Sequence, residues 1–137
     1  LYNCFDCTVT FGNEGFWMPG VESLACGVPI VVSDCAAAAD RVDYGCGYKA
    51  KVRDWTRNNP VAIRQPLVDV PDAAGKITKI INGNREKYTR RCVEAAKKYR
   101  WPKLIEEKWL PFLDECEAEL RPLIKNGKLS KWDQEVQ

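Results

Sequence analysis

One stretch limits what this chain can fold into more than any other: residues 11–34, FGNEGFWMPGVESLACGVPIVVSD. Just ahead of it, residues 7–11 (CTVTF) are short and β-rich, as a buried parallel strand should be. Residues 12–18 read as a glycine-bearing loop. Pro19 and Gly20 mark a helix start, and Val21, Leu24, Ala25 and Val28 follow helical spacing. Gly27 stands just past that helix and Pro29 blocks its continuation. Residues 30–33 are the next buried strand. Strand, helix and strand within about 27 residues, joined by short links, predict a right-handed β-α-β unit of a parallel sheet.

The remaining segments extend that unit. Residues 1–5 read as the last turn of a helix. The alanine run in residues 35–44 favours a short helix. Residues 45–52 suggest a third strand, more exposed than the first two. Residues 54–71, with Asn58-Asn59-Pro60 and two further prolines, read as a long surface loop with an edge strand at 67–70. Asp72 is placed to cap a helix carrying Ile77, Ile80 and Ile81. Asn82-Gly83-Asn84 ends it, and residues 85–99 form another helix with Tyr88, Cys92, Val93, Ala95 and Ala96 inward. Residues 101–120 form a last helix, its apolar side Leu104, Ile105, Trp109, Phe112, Leu113 and Cys116, with Trp101 and Trp109 as core anchors. Pro111 should kink or divide it. The expected organisation is one partial domain over residues 1–120 and a polar tail over 121–137. The chain also starts in mid-pattern at Leu1, which predicts an upstream part.

Charge is divided unevenly. Residues 1–46 carry Arg41 against Asp6, Glu14, Glu22, Asp34, Asp40 and Asp43, so 1 − 6 = −5; the rest carries 20 − 13 = +7. Nucleic acid is disfavoured as a partner, because aromatic residues are not interleaved with the basic ones. Ten basic residues against two acidic ones lie between Lys76 and Lys103. A solvated helical face explains them better than peripheral contact with an anionic membrane. No apolar run approaches the roughly 18 residues of a membrane span. Seven cysteines without a histidine include one C-x-x-C pair, Cys4 and Cys7, but no second pair to complete a zinc site. Small buried thiols in a reducing cytoplasm are the simpler reading.

Chemistry concentrates where the 11–34 helix begins. Glu14 lies in the loop before it, and Glu22, eight positions on, is expected in its first turn. Free backbone N–H groups at a helix start attract phosphate. Two carboxylates beside the same start would repel a phosphate, but they accept well from hydroxyls. A ligand with both phosphate and hydroxyls resolves that conflict, as a nucleotide-sugar does. In open α/β sheets ligands sit at this carboxyl end of the strands.

The segment EGFWMPGVESLACGVPIVVSD resembles the E-x7-E region of retaining glycosyltransferases of the GT-B fold, E-G-F-G-x-P-x-x-E-A-M-A-C-G-x-P-V-V-x-S-D. LYNCFDCTVTFG is similar to that family's approach strand, and KKYRWPKLIEEKWLPFLDE to its tryptophan-containing C-terminal helix. The resemblance implies a three-layer, Rossmann-like parallel sheet flanked by helices: the C-terminal half of a GT-B fold, ending in helix. It implies transfer of a sugar from a nucleotide-sugar donor to an acceptor hydroxyl with retention. Glu14 would contact the transferred sugar and orient the reacting carbon. Gly15 and the amides of Phe16, Trp17 and Met18 would face sugar and diphosphate, and Glu22 would hold the ribose hydroxyls. No metal or other cofactor is expected, and the acceptor site would belong to a missing N-terminal domain. Two departures stand out. Trp17 replaces a glycine, bordering the site with a bulky side chain, and residues 36–39 replace a glycine-rich loop with alanines. The alternatives are a non-catalytic nucleotide-sugar-binding module or a subunit of a split enzyme. A sugar epimerase of the same architecture would need a histidine-bearing site, which this chain lacks.

Overall fold

A computed structural model describes residues 1–42, 45–57 and 63–125. The chain divides into two compact units, residues 1–98 and 99–137.

The first unit is a mixed α/β body built on a three-stranded parallel sheet. Its strands, β1 (Thr8–Thr10), β2 (Ile30–Ser33) and β3 (Gly47–Ala50), lie in the order β1-β2-β3. Strand β2 is central and fully buried. Its alternation assigns the two faces: Ile30 and Val32 join one core cluster, Val31 the other. The first cluster includes Leu24 from α1 (Met18–Ala25), Ala38 from α2 (Ala36–Ala39), and Cys92 and Ala95 from α4 (Arg85–Lys97). The second includes Ala73 and Ile80 from α3 (Val70–Ile81). Helices thus cover both faces, which a parallel sheet requires. Strand β1 differs from expectation: it is a partly exposed edge, with Val9 45% accessible, and not fully buried.

The α1 helix ends as its sequence dictates. Gly27, at φ +76°, donates its N–H to the Leu24 carbonyl, and Val28 N–H reaches back to Ser23 O. This pair of bonds satisfies two carbonyls that the helix end would otherwise orphan. The Ser23 hydroxyl donates to Val28 O, so the 2.8 Å contact with Thr8 Oγ1 has Thr8 as donor and ties α1 to β1.

Other expectations need correction. Residues 54–71 are not one irregular loop. β4 (Val52–Thr56) and β5 (Gln65–Val68) pair antiparallel. The ribbon escapes a periodicity argument because β4 is charged and largely exposed. The Asn58-Asn59-Pro60 segment lies outside the described residues. Helix α3 is capped by Asp69, whose carboxylate accepts the Asp72 N–H at 3.0 Å. Asp72 sits within the first turn, held by the Lys51 N–H at 2.8 Å and Lys76 Nζ at 2.6 Å. On α4, Cys92 and Ala95 are buried, but Val93 faces solvent. All seven cysteines are free, and only Cys46 and Cys92 are buried.

The second unit is helical: α5 (Trp101–Leu104), a π-helical turn (Ile105–Trp109) and α6 (Leu110–Lys125). The π turn immediately precedes Pro111, which can offer no N–H to the Glu107 carbonyl. Leu110 N–H instead bonds Ile105 O, five residues back. Trp101 and Trp109 are 67% and 50% exposed, so they are not core anchors. Residues 121–125, expected to open a polar tail, continue α6. Among the described residues no helix is long and apolar enough to cross a membrane.

Candidate functional site

Glu14, Gly15, Phe16, Trp17 and Met18 follow β1 at the carboxyl end of the sheet and lead into α1. Glu14, Gly15, Phe16, Met18 and Glu22 are all exposed there. Helix α1 starts one residue earlier than its proline suggests, at Met18. Its first turn therefore holds no acid, and Glu22 falls in the second turn. Four residues of rise place its Cα about 6 Å along the axis from the helix start. Its exposed carboxylate is engaged by Tyr2, on the turn that precedes β1.

The supply of free amides is smaller than a full helix start would give. Trp17 is the N-cap residue and makes no side-chain cap. Pro19 has no N–H, and Gly20 N–H turns back to Trp17 O at 3.1 Å. Helical geometry leaves the Trp17 and Met18 amides over. These belong to the set that the resemblance to GT-B glycosyltransferases would give to sugar and diphosphate.

Trp17 adopts φ 60°, ψ 68°. This left-handed conformation is the one a glycine takes freely, and it costs a larger residue about 1–2 kcal/mol. Its ring lies on Gly20, where an added Cβ would come within 2.2 Å of Cε3. The half-buried ring packs against the core cluster of Leu24, Ile30 and Val32. It is turned inward, and what borders the site at this position is backbone; this corrects the expectation of a bulky wall.

Neighbouring elements hold the loop in place. Ser33, ending β2, donates its hydroxyl to Gly12 O at 3.0 Å. The Glu14 carboxylate folds over that glycine, with Oε1 3.4 Å from where a Gly12 Cβ would stand. Asn13 donates to Arg64 O at 3.2 Å. Arg41, only 8% exposed, donates to Phe16 O at 3.2 Å and stacks its guanidinium 4.1 Å from the Phe16 ring centre. Sequence reasoning assigned Arg41 no role. The available signal was its standing as the one cation among the first 46 residues. Tyr2 was missed as well: its hydroxyl donates to Glu22 Oε2 at 2.6 Å. That hydrogen bond to the carboxylate raises the phenol's pKa above its ordinary value.

After β2 the chain turns through Ala36 at φ 54°, a glycine-like backbone carried by an alanine, and enters the short helix that the alanine run predicted. Two cavities lie elsewhere on the first unit. A cavity of about 160 Å³ is lined by Asp6, Val28, Pro29 and Arg85, and another of about 360 Å³ by Gly45, Gly47, Lys87 and Arg91. Both lie by the amino ends of the strands, away from Glu14 and the start of α1. We place the candidate site at the carboxyl ends despite its openness, because that end carries the strained backbone and the uncapped helix start. Among the described residues no three His, Cys, Asp or Glu side chains cluster as metal ligands would. Compared with protein-family models and with curated proteins, the chain matches none.

Proposed function

We propose that this chain is the nucleotide-sugar-binding part of a retaining GT-B glycosyltransferase, its sheet a portion of the Rossmann-like C-terminal half. The observation that carries the reading is the exposed loop from Glu14 to Met18. It joins the carboxyl end of a parallel strand to an uncapped helix start, with a carboxylate on either side. The Trp17 and Met18 amides take the diphosphate, which the helix dipole favours. Glu22 takes the ribose diol and Glu14 the hydroxyls of the transferred sugar.

Loss of the diphosphate leaves an oxocarbenium-like sugar, which fixed acceptors beside the ring stabilise electrostatically. Glu14 is the residue of this chain in that role. The openness of the site fits a donor half completed by an acceptor-binding domain. The cytoplasmic setting belongs to the same reading, and the seven free thiols support it.

Titration of the chain with UDP, GDP and ADP tests the binding step. One of the three should bind, and Glu22→Ala should weaken it about tenfold or more, the scale of a lost charged hydrogen bond. A Glu22→Ala variant that binds as tightly as the parent refutes the ribose role. Sugar transfer is assayed in the complete protein with the anomeric configuration read by NMR. Binding without transfer leaves the non-catalytic module as the function.

A further inference from the structure

We infer that Tyr2 is a positioning residue for Glu22, setting the carboxylate that receives the ribose diol. The inference rests on the reading of Glu22 just given and adds a residue to it.

The geometry is specific. Tyr2 begins a single 3-10 turn, Tyr2–Cys4, ahead of β1. The turn is closed by Cys4 N–H to Leu1 O at 3.0 Å and Phe5 N–H to Tyr2 O at 2.9 Å. The Tyr2 ring meets Phe5 edge to face, with centroids 6.1 Å apart. Backbone and ring thus each have a contact besides the hydroxyl's own. From there it reaches across twenty residues of sequence to Glu22 Oε2 at 2.6 Å, a short charge-assisted bond.

Glu22 is exposed, so without a partner its three side-chain torsions would be free. The bond removes that freedom before a ligand arrives. It also leaves capacity for one. A carboxylate offers about four lone-pair positions; Tyr2 fills one on Oε2, and among the described residues nothing hydrogen-bonds Oε1. A group that blocked the site would have to cover both oxygens. A group that only clipped the turn to the helix would have no bearing on which nucleotide binds.

The test compares the parent chain with Tyr2→Phe, which keeps the ring and its contact with Phe5. Each is titrated with whichever of UDP, GDP and ADP binds, and with its 2′,3′-dideoxy counterpart. The parent should prefer the ribonucleotide. Tyr2→Phe should lose about three- to tenfold on the ribonucleotide, with the dideoxy affinity and thermal midpoint unchanged. In a Glu22→Ala background the same change should have no further effect. If Tyr2→Phe keeps the parent's ribo-to-dideoxy ratio while Glu22→Ala abolishes it, the inference fails and the role of Glu22 stands. Equal weakening of both ligands, or tighter ribonucleotide binding, also overturns it. A parent that binds both forms equally removes the ribose role of Glu22 and this inference with it.

Discussion

Replacing Gly20 by alanine opposes two effects of known size, so the sign of the result decides between them. Gly20 is the third residue of α1, and alanine is better than glycine in a helix by up to about 1 kcal/mol. Propensity alone therefore predicts stabilisation. The structure predicts the reverse. The new Cβ would stand 2.2, 2.4 and 2.9 Å from Cε3, Cζ3 and Cδ2 of Trp17. Those atoms belong to a rigid ring packed on Leu24, Ile30 and Val32, so relief requires moving the whole side chain. Overpacking of this kind costs about 1–3 kcal/mol, which leaves a net loss of roughly 0.5–2 kcal/mol. Urea unfolding measures it as a lower midpoint at unchanged slope. The same substitution in a Trp17→Gly background has no ring to meet and should stabilise by up to about 1 kcal/mol. A Gly20→Ala protein that gains stability in both backgrounds would refute the placement of the ring, and with it the claim that Trp17 presents only backbone to the site.

Three further outcomes follow from the same kind of contact. Gly47→Ala puts a Cβ 2.0 Å from the Ile30 carbonyl oxygen, where the two strands pair and backbone cannot yield; circular dichroism should show a loss of about 3 kcal/mol or more. Gly75→Ala, with nothing within 4 Å, should stabilise the fold by about 0.5–1 kcal/mol, read as a higher urea midpoint. The Asp72 carboxyl is held below its ordinary 3.8 by the Lys76 ammonium and then by the Lys51 N–H. Its contribution is thus present above about pH 4 and lost as pH falls further, when the unfolded chain takes the proton first; acid titration of Asp72→Asn should lack that part of the decline.

How much was legible follows from where each signal resides. The β1-α1-β2 unit could be read because its information is local: Gly27 and Pro29 end the helix, and Ile30 to Ser33 are uniformly apolar or small because both faces are buried. The β4–β5 ribbon could not, since exposed strands carry no apolar alternation. Asp69 and Asp72 stand three residues apart and either suits an N-cap. The choice falls to Asp69 because Lys51 and Lys76 engage Asp72. Glu14 and Glu22 were visible as residues, but their supports were not. Tyr2 is twenty residues from Glu22, and Arg41 is twenty-five from Phe16. Such bonds form only once the sheet has brought distant segments together, and no periodicity records them.

The distribution of strain gives an independent reason to look at this end of the sheet. Among the described residues, the non-glycine positions with positive φ are Trp17 and Ala36. One follows β1 and the other follows β2, so both lie at the carboxyl ends of neighbouring strands. Each costs about 1–2 kcal/mol that a glycine would not, and a fold keeps such a cost where its surroundings over-determine the backbone. For Trp17 the surroundings are identifiable: its ring gains core contacts, and Arg41 grips the preceding carbonyl. The loop between Gly12 and Met18 is therefore exposed without being loose. Its ends are fixed by Ser33 on one side and by Arg41 and Trp17 on the other, with Glu14 exposed between them. A glycine at position 17 would relieve the backbone but forfeit the ring's contacts with Leu24, Ile30 and Val32, so the packing of Trp17 accounts for the strain the loop retains.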